Sequence, residues 1–164
     1  MVTPTFGASW GDINSDGWPD LFVNNHARKN SIFRNNSDDT FANVTDEVDG
    51  SSYWSTGNGA WEDTHGGTWA DIDRDGDEDL LVTTGNCCDP QFFENQNGTL
   101  FYRSAEFGFG GPAGDTDKGG RTPVWFDRDD DGWLEVALMS FYRTQLMAQD
   151  SGTYVNVLSG SGFV

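Results

Sequence analysis

The sequence has few basic residues and no long apolar run. Only 9 Lys and Arg stand against 27 Asp and Glu, which gives a formal net charge of −18 over 164 residues. Because nucleic acids and anionic membranes are bound by basic surfaces, this charge argues against both as partners. The absence of an apolar run argues against a membrane-spanning helix, and no signal peptide is visible at the N-terminus.

Cysteine and histidine are also scarce. The two cysteines, Cys87 and Cys88, are adjacent, which is not the spacing of a zinc site. Three alternatives stay open: a vicinal disulfide, which would suit an oxidising compartment, two reduced thiols, or a bridge to another chain. The two histidines, His26 and His65, belong to no nucleophile–base arrangement visible in the sequence. We interpret both as solvated loop residues and expect no enzyme.

Aromatic residues and glycine, by contrast, are abundant. Aromatics make up 14% of the chain and include 7 Trp, so the chain can bury a core despite its acidity. No segment has a sustained helical period, and 21 Gly argue against long helices. The composition therefore indicates a folded all-β protein.

One motif occurs three times along the chain. Each copy has a Trp, an acidic segment and an apolar run. The copies lie at 10–23, 69–82 and 125–138. Their first acidic residues, Asp12, Asp71 and Asp127, are 59 and 56 residues apart. Self-similarity of this kind indicates a repeat architecture in which each copy is one supersecondary unit.

Two further strand-like segments, with turn-forming residues between them, follow each motif. They are 31–35 and 40–44 in the first repeat, 91–95 and 99–102 in the second, and 145–148 and 153–157 in the third. Each repeat therefore predicts four short antiparallel strands, which is the blade of a β-propeller. We expect three blades, as a partial propeller or as part of a larger ring or assembly.

The predicted blades are separated by two segments of different composition. We expect a first blade at 1–49, an aromatic and Gly-rich insert at 50–66, a second blade at 67–106, a Gly-rich linker at 107–120 and a third blade at 121–164.

The acidic segments follow the pattern Asp-x-Asp/Asn-x-Asp-Gly-x-x-Asp/Glu. Positions one, three and five place side-chain oxygens around one point, position seven offers its backbone carbonyl, and position nine closes the site. Calcium takes roughly six to eight such oxygen ligands, and the Gly at position six allows a sharp reversal of the chain. The predicted ligands are Asp12, Asn14, Asp16, Trp18 and Asp20 in the first loop, Asp71, Asp73, Asp75, Asp77 and Asp79 in the second, and Asp127, Asp129, Asp131, Trp133 and Glu135 in the third.

An EF-hand is the main alternative for such loops. It requires a bidentate Glu at position twelve, at the start of a helix. Position twelve is Val23, Val82 or Leu138, each inside an apolar run. We therefore predict strand-flanked loops that hold three calcium ions, one per repeat, in a structural role.

Two further sets of residues are candidate sites. Tyr53, Trp54 and Trp61 lie in a stretch that combines rings with hydrogen-bonding groups, so they could bind a ligand such as a sugar. The alternative is that the Trp rings pack between blades. Sequons at Asn35, Asn43 and Asn97 predict glycosylation, which fits a secreted protein.

The loops at 10–23 and 69–82 resemble the FG-GAP/VCBS repeats of integrin α-chain propellers and of many bacterial surface proteins. The wider pattern at 33–36 and 121–127 is closest to the cartilage acidic protein (ASPIC/UnbV-type) branch. This resemblance implies propeller blades, calcium in the loops and an extracellular or cell-surface setting. It implies no reaction.

Three blades are fewer than a closed propeller contains, since propellers typically have about four to eight. We expect the chain to be a fragment, to share a ring with copies of itself, or to stack into a filament. The expected function is a non-catalytic extracellular scaffold or adhesion module whose partners are other blades, copies of itself, extracellular proteins or glycans. The alternatives are a calcium-dependent carbohydrate-binding propeller and a propeller appended to an enzyme outside this chain.

Overall fold

The described part of the chain consists of three four-stranded antiparallel sheets. The computed structural model describes residues 5–26, 28–54, 63–85, 88–110, 120–139 and 144–158. Blade 1 contains β1 (Thr5–Gly11), β2 (Asp20–Asn25), β3 (Ser31–Asn35) and β4 (Phe41–Asn43), followed by the short helix α1 (Thr45–Val48). Blade 2 contains β5 (Thr64–Ala70), β6 (Asp79–Thr84), β7 (Gln91–Gln96) and β8 (Thr99–Tyr102). Blade 3 contains β9 (Val124–Phe126), β10 (Glu135–Met139), β11 (Thr144–Asp150) and β12 (Thr153–Asn156).

The strands of every blade pair in chain order, so each sheet is a meander. The first strands of the blades are neighbours: β1 packs beside β5, and β5 contacts β9. This is the arrangement of propeller blades around a common axis. The prediction of an all-β fold with three four-stranded blades is confirmed.

Strand β6 belongs to blade 2, which lies between the other two blades, and it is buried on both faces. Leu80 and Val82 pack against residues of blade 1, whereas Leu81 packs against residues of blade 3. Successive side chains of a strand point to opposite faces, so a strand between two neighbours needs apolar residues at consecutive positions. The burial of Leu80, Leu81 and Val82 at consecutive positions therefore reflects the place of blade 2 between blades 1 and 3.

Within the described part of the chain, blades 1 and 3 each have one uncovered face. On blade 1, Trp10 is 58% exposed and its ring lies 6.1 Å from that of Phe41. On blade 3, Val124, Phe126 and Met139 are exposed in the same way. We call these surfaces the open faces of blades 1 and 3.

The strand pairs β1–β2 and β5–β6 share an irregularity. In both, the register shifts near the start of the first strand, between Thr5 and Gly7 in blade 1 and between Thr64 and Gly66 in blade 2. The residues inside the shift have no partner in the ladder, and bulges of this kind redirect side chains.

Among the described residues there is no helix long and apolar enough to cross a membrane.

Candidate metal centres

Each predicted metal loop connects the first two strands of its blade, so all three lie at the same end of the sheets. The first loop (12–20) touches the second (71–79), because the Asp12 backbone N–H donates to Glu78 Oε2 over 2.8 Å. The second touches the third (127–135), where the Arg74 guanidinium lies 3.9 Å from the centre of the Trp133 ring. The loops therefore form one continuous row.

The three loops share one hydrogen-bond pattern. The carboxylate at position one accepts the backbone N–H of the Gly at position six, over 2.7 Å in Asp12–Gly17, 3.1 Å in Asp71–Gly76 and 2.9 Å in Asp127–Gly132. The carboxylate at position five accepts the N–H of position seven, over 2.9 Å in Asp16–Trp18, 2.9 Å in Asp75–Asp77 and 2.8 Å in Asp131–Trp133. These bonds hold the carboxylates at positions one and five against the backbone of their own loop.

Two positions of each loop have left-handed backbone. The Gly at position six has φ of 88° in Gly17, 99° in Gly76 and 82° in Gly132, as the predicted reversal requires. Position four is also left-handed, with φ of 55° in Ser15, 66° in Arg74 and 60° in Asp130. This conformation is uncommon for residues with a Cβ, so surrounding contacts must hold it. No feature of the amino-acid sequence indicates it.

The carboxylate at position nine is buried and bridges two parts of its blade. Asp79 accepts the backbone N–H of Ile72 over 3.1 Å with one oxygen and that of Asn95 over 2.9 Å with the other. Asp20 makes the same pair of bonds in blade 1. Glu135 accepts the backbone N–H of Arg128 over 2.7 Å. Position nine thus fixes the loop, and in blades 1 and 2 also ties it to the third strand.

Two loops gather three acidic side chains each. Oxygens of Asp71, Asp73 and Asp79 lie within 4.8 Å of one another, and so do oxygens of Asp127, Asp129 and Glu135. The first loop has an amide instead of a carboxylate at position three. There, the Asn14 side-chain N–H donates to Asp16 over 2.9 Å.

The electrostatics of the second loop favour a cation. Burial raises the pKa of Asp79 to about 8, although N–H bonds from Asn95 and Ile72 act in the opposite direction. Burial likewise raises the pKa of Asp73. The Oδ1 atom of Asp71 is buried and has no hydrogen-bond partner among the residues that the structure describes. A hard cation such as Ca²⁺ would neutralise these carboxylates and satisfy this oxygen, so the donor set fits a metal ion.

The aromatic candidates for ligand binding occupy different environments. Trp54 is only 1% exposed and lies between blades 1 and 2, with its ring 6.1 Å from Phe22 and 4.4 Å from Phe93. This is the position that the packing alternative predicts. The Tyr53 ring stacks on Tyr102 over 4.2 Å. Trp61 lies outside the described residues.

The sequons and cysteines remain predictions. Asn43 and Asn97 are exposed, whereas Asn35 is partly buried and its side-chain N–H donates to the Pro19 carbonyl over 3.2 Å. Cys88 takes part in a disulfide, and Cys87 lies outside the described residues.

A cluster of His26, Asp63 and His65 was missed in the sequence. The expectation of solvated loop histidines is wrong for His65, which lies in β5 with a side chain only 9% exposed. Its Nε2 lies 2.6 Å from Asp63 Oδ1, and His26 Nδ1 contacts the same oxygen. Burial raises the pKa of Asp63, but the hydrogen bonds to both rings outweigh it, so the pKa lies below its usual value. The Asp-x-His spacing was the only local signal.

The comparison with known families matches part of each of the first two blades. Residues 12–82 match the family model of the FG-GAP-like repeat, from the first ligand of the first loop into strand β6. A search of curated proteins finds no significant relative. The narrower ASPIC/UnbV-type branch stays a prediction. The match supports FG-GAP-like repeats at residues 12–82, and together with the three sheets it supports a propeller-type module.

Proposed function

We propose that the chain is a non-catalytic calcium-binding scaffold, built of propeller blades, that works in an extracellular or cell-surface setting. The observation that carries the proposal is the repeated loop geometry. In all three loops the position-one carboxylate accepts the N–H of the Gly at position six, and in the second loop the Oδ1 atom of Asp71 is buried with no hydrogen-bond partner among the described residues. Clustered carboxylates repel each other unless a cation lies between them.

Calcium fits these loops better than magnesium does. The ligands come from one short loop, and flexible all-oxygen cages of this kind suit Ca²⁺, whereas Mg²⁺ tends to keep its waters. The role is structural, because the position-nine carboxylate that closes the site also joins β6 to β7 through Asp79 and Asn95. An ion held there stabilises the connection between strands.

The packing of the Trp before each loop supports a larger assembly. Trp69 lies on Gly11 of blade 1, so closely that a Cβ at Gly11 would be 2.4 Å from its ring. Trp125 packs against the cluster that contains Ala70, which is the residue of blade 2 equivalent to Gly11. Trp10 is the equivalent residue of blade 1, and it is 58% exposed. We infer that another blade covers it.

The hydrogen bonds between blades repeat in the same sense. The side-chain amide of Asn95 donates to the Ile13 carbonyl of blade 1 over 2.9 Å, and that of Gln149 approaches the Ile72 carbonyl of blade 2 at 3.5 Å. Asn35 holds the equivalent place in blade 1. The open face of blade 1 thus carries Trp10 and Asn35, which are equivalent to the residues through which blades 2 and 3 contact their preceding blades. The partner is a further blade, from another part of the same protein or from a second copy.

The other candidate functions gain less support. The carbohydrate-binding alternative relied on exposed rings, and Trp54 is buried in the core. A propeller appended to an enzyme stays an alternative on which no observation bears. Extracellular proteins and glycans stay the proposed partners of an adhesion role.

Calcium titration by calorimetry, with thermal unfolding in calcium and in chelator, tests the metal sites. We expect chelator to lower the Tm by several degrees, since metal binding is linked to folding. The double variant of Asp71→Asn and Asp73→Asn should lose one binding event. Asp39→Asn is the matched control, because Asp39 is an exposed turn residue with φ of 66° that Asn tolerates. An unchanged Tm and no heat of binding would refute the calcium role.

Sedimentation velocity tests the assembly. Trp10→Asp should abolish any association through the open face of blade 1, and Trp10→Phe, which keeps an apolar ring, should retain it. A chain that remains monomeric at high concentration with calcium, and whose Trp10 stays exposed in the longest natural form of the protein, would contradict the proposal.

A further inference from the structure

A second cluster of ligand-type side chains lies at the other end of the blades. His26 follows β2, Asp63 precedes β5, and His65 is the second residue of β5. The metal loops follow the opposite ends of the first strands, which puts them roughly 15–20 Å away at the usual rise per strand residue. The two sites are therefore separate.

The fold directs His65 toward this cluster. It lies inside the register shift between Thr64 and Gly66, so it is the residue that the bulge releases from the ladder. Phe6 and Arg121 hold the same position in the other blades, four residues before Trp10 and Trp125 as His65 is before Trp69.

All three blades contribute to the surroundings of the cluster. The edge of the Phe6 ring meets both imidazoles, with ring centres 4.9 Å from His26 and 5.0 Å from His65. Arg121 of blade 3 approaches His65 Nδ1 at 2.8 Å. The cluster is thus held in place by side chains from adjacent blades around the axis.

We propose that His26, Asp63 and His65 form a binding site for a divalent transition metal ion of the Zn²⁺ class. One nitrogen of each ring and a carboxylate oxygen of Asp63 lie within 4.8 Å of one another. Two imidazoles and a carboxylate suit Zn²⁺ and its neighbours, whereas Ca²⁺ prefers oxygen alone. The side chains of His26 and Asp63 are 40% and 36% exposed, which leaves room for a further ligand from solvent.

Metal binding requires only small movements. His65 Nε2 is 2.6 Å from Asp63 Oδ1, while ligand atoms in a tetrahedral zinc site are about 3.3 Å apart, given bonds of about 2.0–2.1 Å. The ion takes the place of the protons now shared between the rings and Asp63. The side chains must therefore separate by less than about 1 Å.

Arg121 disfavours metal binding, because its guanidinium contacts the Nδ1 atom of His65. A guanidinium has donors only, so Nδ1 of His65 must be the acceptor of this contact, and the ring proton lies on Nε2. An ion on Nε2 shifts that proton to Nδ1, where it faces the Arg121 donor. Binding must therefore displace Arg121, and removing this cation should strengthen binding.

Zn²⁺ titration by calorimetry tests the site, in protein whose loops are saturated with calcium. His26→Ala and Asp63→Asn should each weaken Zn²⁺ binding at least about tenfold, the effect usual for altered metal sites. Arg121→Gln should strengthen it several-fold, because the amide oxygen accepts the Nδ1 proton. A purely structural role for the cluster predicts no such gain. Asp71→Asn is the matched control and should leave Zn²⁺ affinity unchanged while it weakens calcium binding.

A spectroscopic measurement on the wild-type protein tests the site even if the variants fold poorly. Co²⁺ in place of Zn²⁺ should give the visible absorption of a low-coordinate nitrogen and oxygen site in the wild-type protein, and His26→Ala should remove it. The proposal is overturned by wild-type protein without Zn²⁺ binding, or by binding that His26→Ala leaves intact and Asp71→Asn abolishes. Neither result bears on the calcium loops, which are measured separately.

Discussion

The side-chain amide of Asn95 in β7 donates to the backbone carbonyl of Ile13, 2.9 Å away in the loop of the preceding blade. The same amide donates to the Glu78 carbonyl over 3.0 Å, and its oxygen accepts the Gly98 N–H over 2.9 Å. One fully buried residue therefore joins the first loop, the second loop and the β7–β8 turn. We expect an ion bound in one loop to affect the neighbouring loop through this residue.

Replacing Asn95 should destabilise the protein far more than replacing its equivalent in blade 1. Asn95→Leu removes the partner of the buried Ile13 carbonyl, of the part-buried Glu78 carbonyl and of the Gly98 N–H, so we expect a loss of about 2–4 kcal/mol in the free energy of unfolding. Asn35→Leu breaks a bond to the exposed Pro19 carbonyl, which water can replace, and should cost less than about 1 kcal/mol.

Urea unfolding of unglycosylated protein measures both variants. Equal losses for Asn95→Leu and Asn35→Leu would mean that the contact between blades contributes nothing beyond the local turn.

Calcium should remove the fall in stability with rising pH near neutrality. An unfolded Asp titrates near about 3.9, whereas burial raises the pKa of Asp79 to about 8 in the metal-free fold. Between these values the folded chain binds more protons than the unfolded chain, so the free energy of unfolding falls as pH rises. We expect the Tm in chelator to fall from about pH 5 to about pH 8, and the gain in Tm from calcium to be larger at the higher pH.

Asp79→Asn is the test of this assignment. The amide does not titrate, so the pH slope in chelator should flatten, and calcium should stabilise the variant less. A remaining slope is expected because burial also raises the pKa of Asp20 and Asp73. A Tm in chelator that rises steadily over this pH range would contradict the prediction.

Trp54 should contribute to stability rather than to ligand binding. Its ring fills the space between Phe22 and Phe93, so Trp54→Ala creates a cavity and should cost about 3–5 kcal/mol. Tyr53→Ala removes a ring that is only half-buried and should cost less, about 1–2 kcal/mol. Urea unfolding measures stability, and a glycan array measures ligand binding. If the wild-type protein binds a specific glycan and a folded Trp54→Ala variant does not, the carbohydrate alternative is restored.

The sequence predicted what short segments determine. The acidic loops fix their own turns through bonds between neighbouring positions, such as Asp71 to Gly76, and the apolar runs beside them become strands. Because both signals are local and occur three times, the blades and the hydrogen-bonded acidic loops follow from the order of the amino acids alone.

Contacts between distant residues could not be predicted. The second oxygen of Asp79 binds the N–H of Asn95, which depends on how β7 aligns with β6. The cluster of His26, Asp63 and His65 requires the bulge in β5 and the packing of blade 1 on blade 2. A single Asp-x-His pair, without knowledge of that bulge, does not distinguish a ligand pair from two surface residues.

The close packing of Trp69 on Gly11 gives the sharpest test of the blade interface. A Cβ at Gly11 would lie 2.4 Å from Cγ of Trp69, so Gly11→Ala should cost about 1–3 kcal/mol through overpacking. In a Trp69→Leu background the smaller side chain can move away, and adding Gly11→Ala should cost less than half as much. Gly17→Ala is the control: its Cβ would meet no atom within 4 Å, and its cost comes from a φ of 88°. That cost should be the same in both backgrounds. Urea unfolding gives the coupling energy between each Gly→Ala substitution and Trp69→Leu. Equal coupling energies for Gly11 and Gly17 would mean that the strain at Gly11 does not come from Trp69.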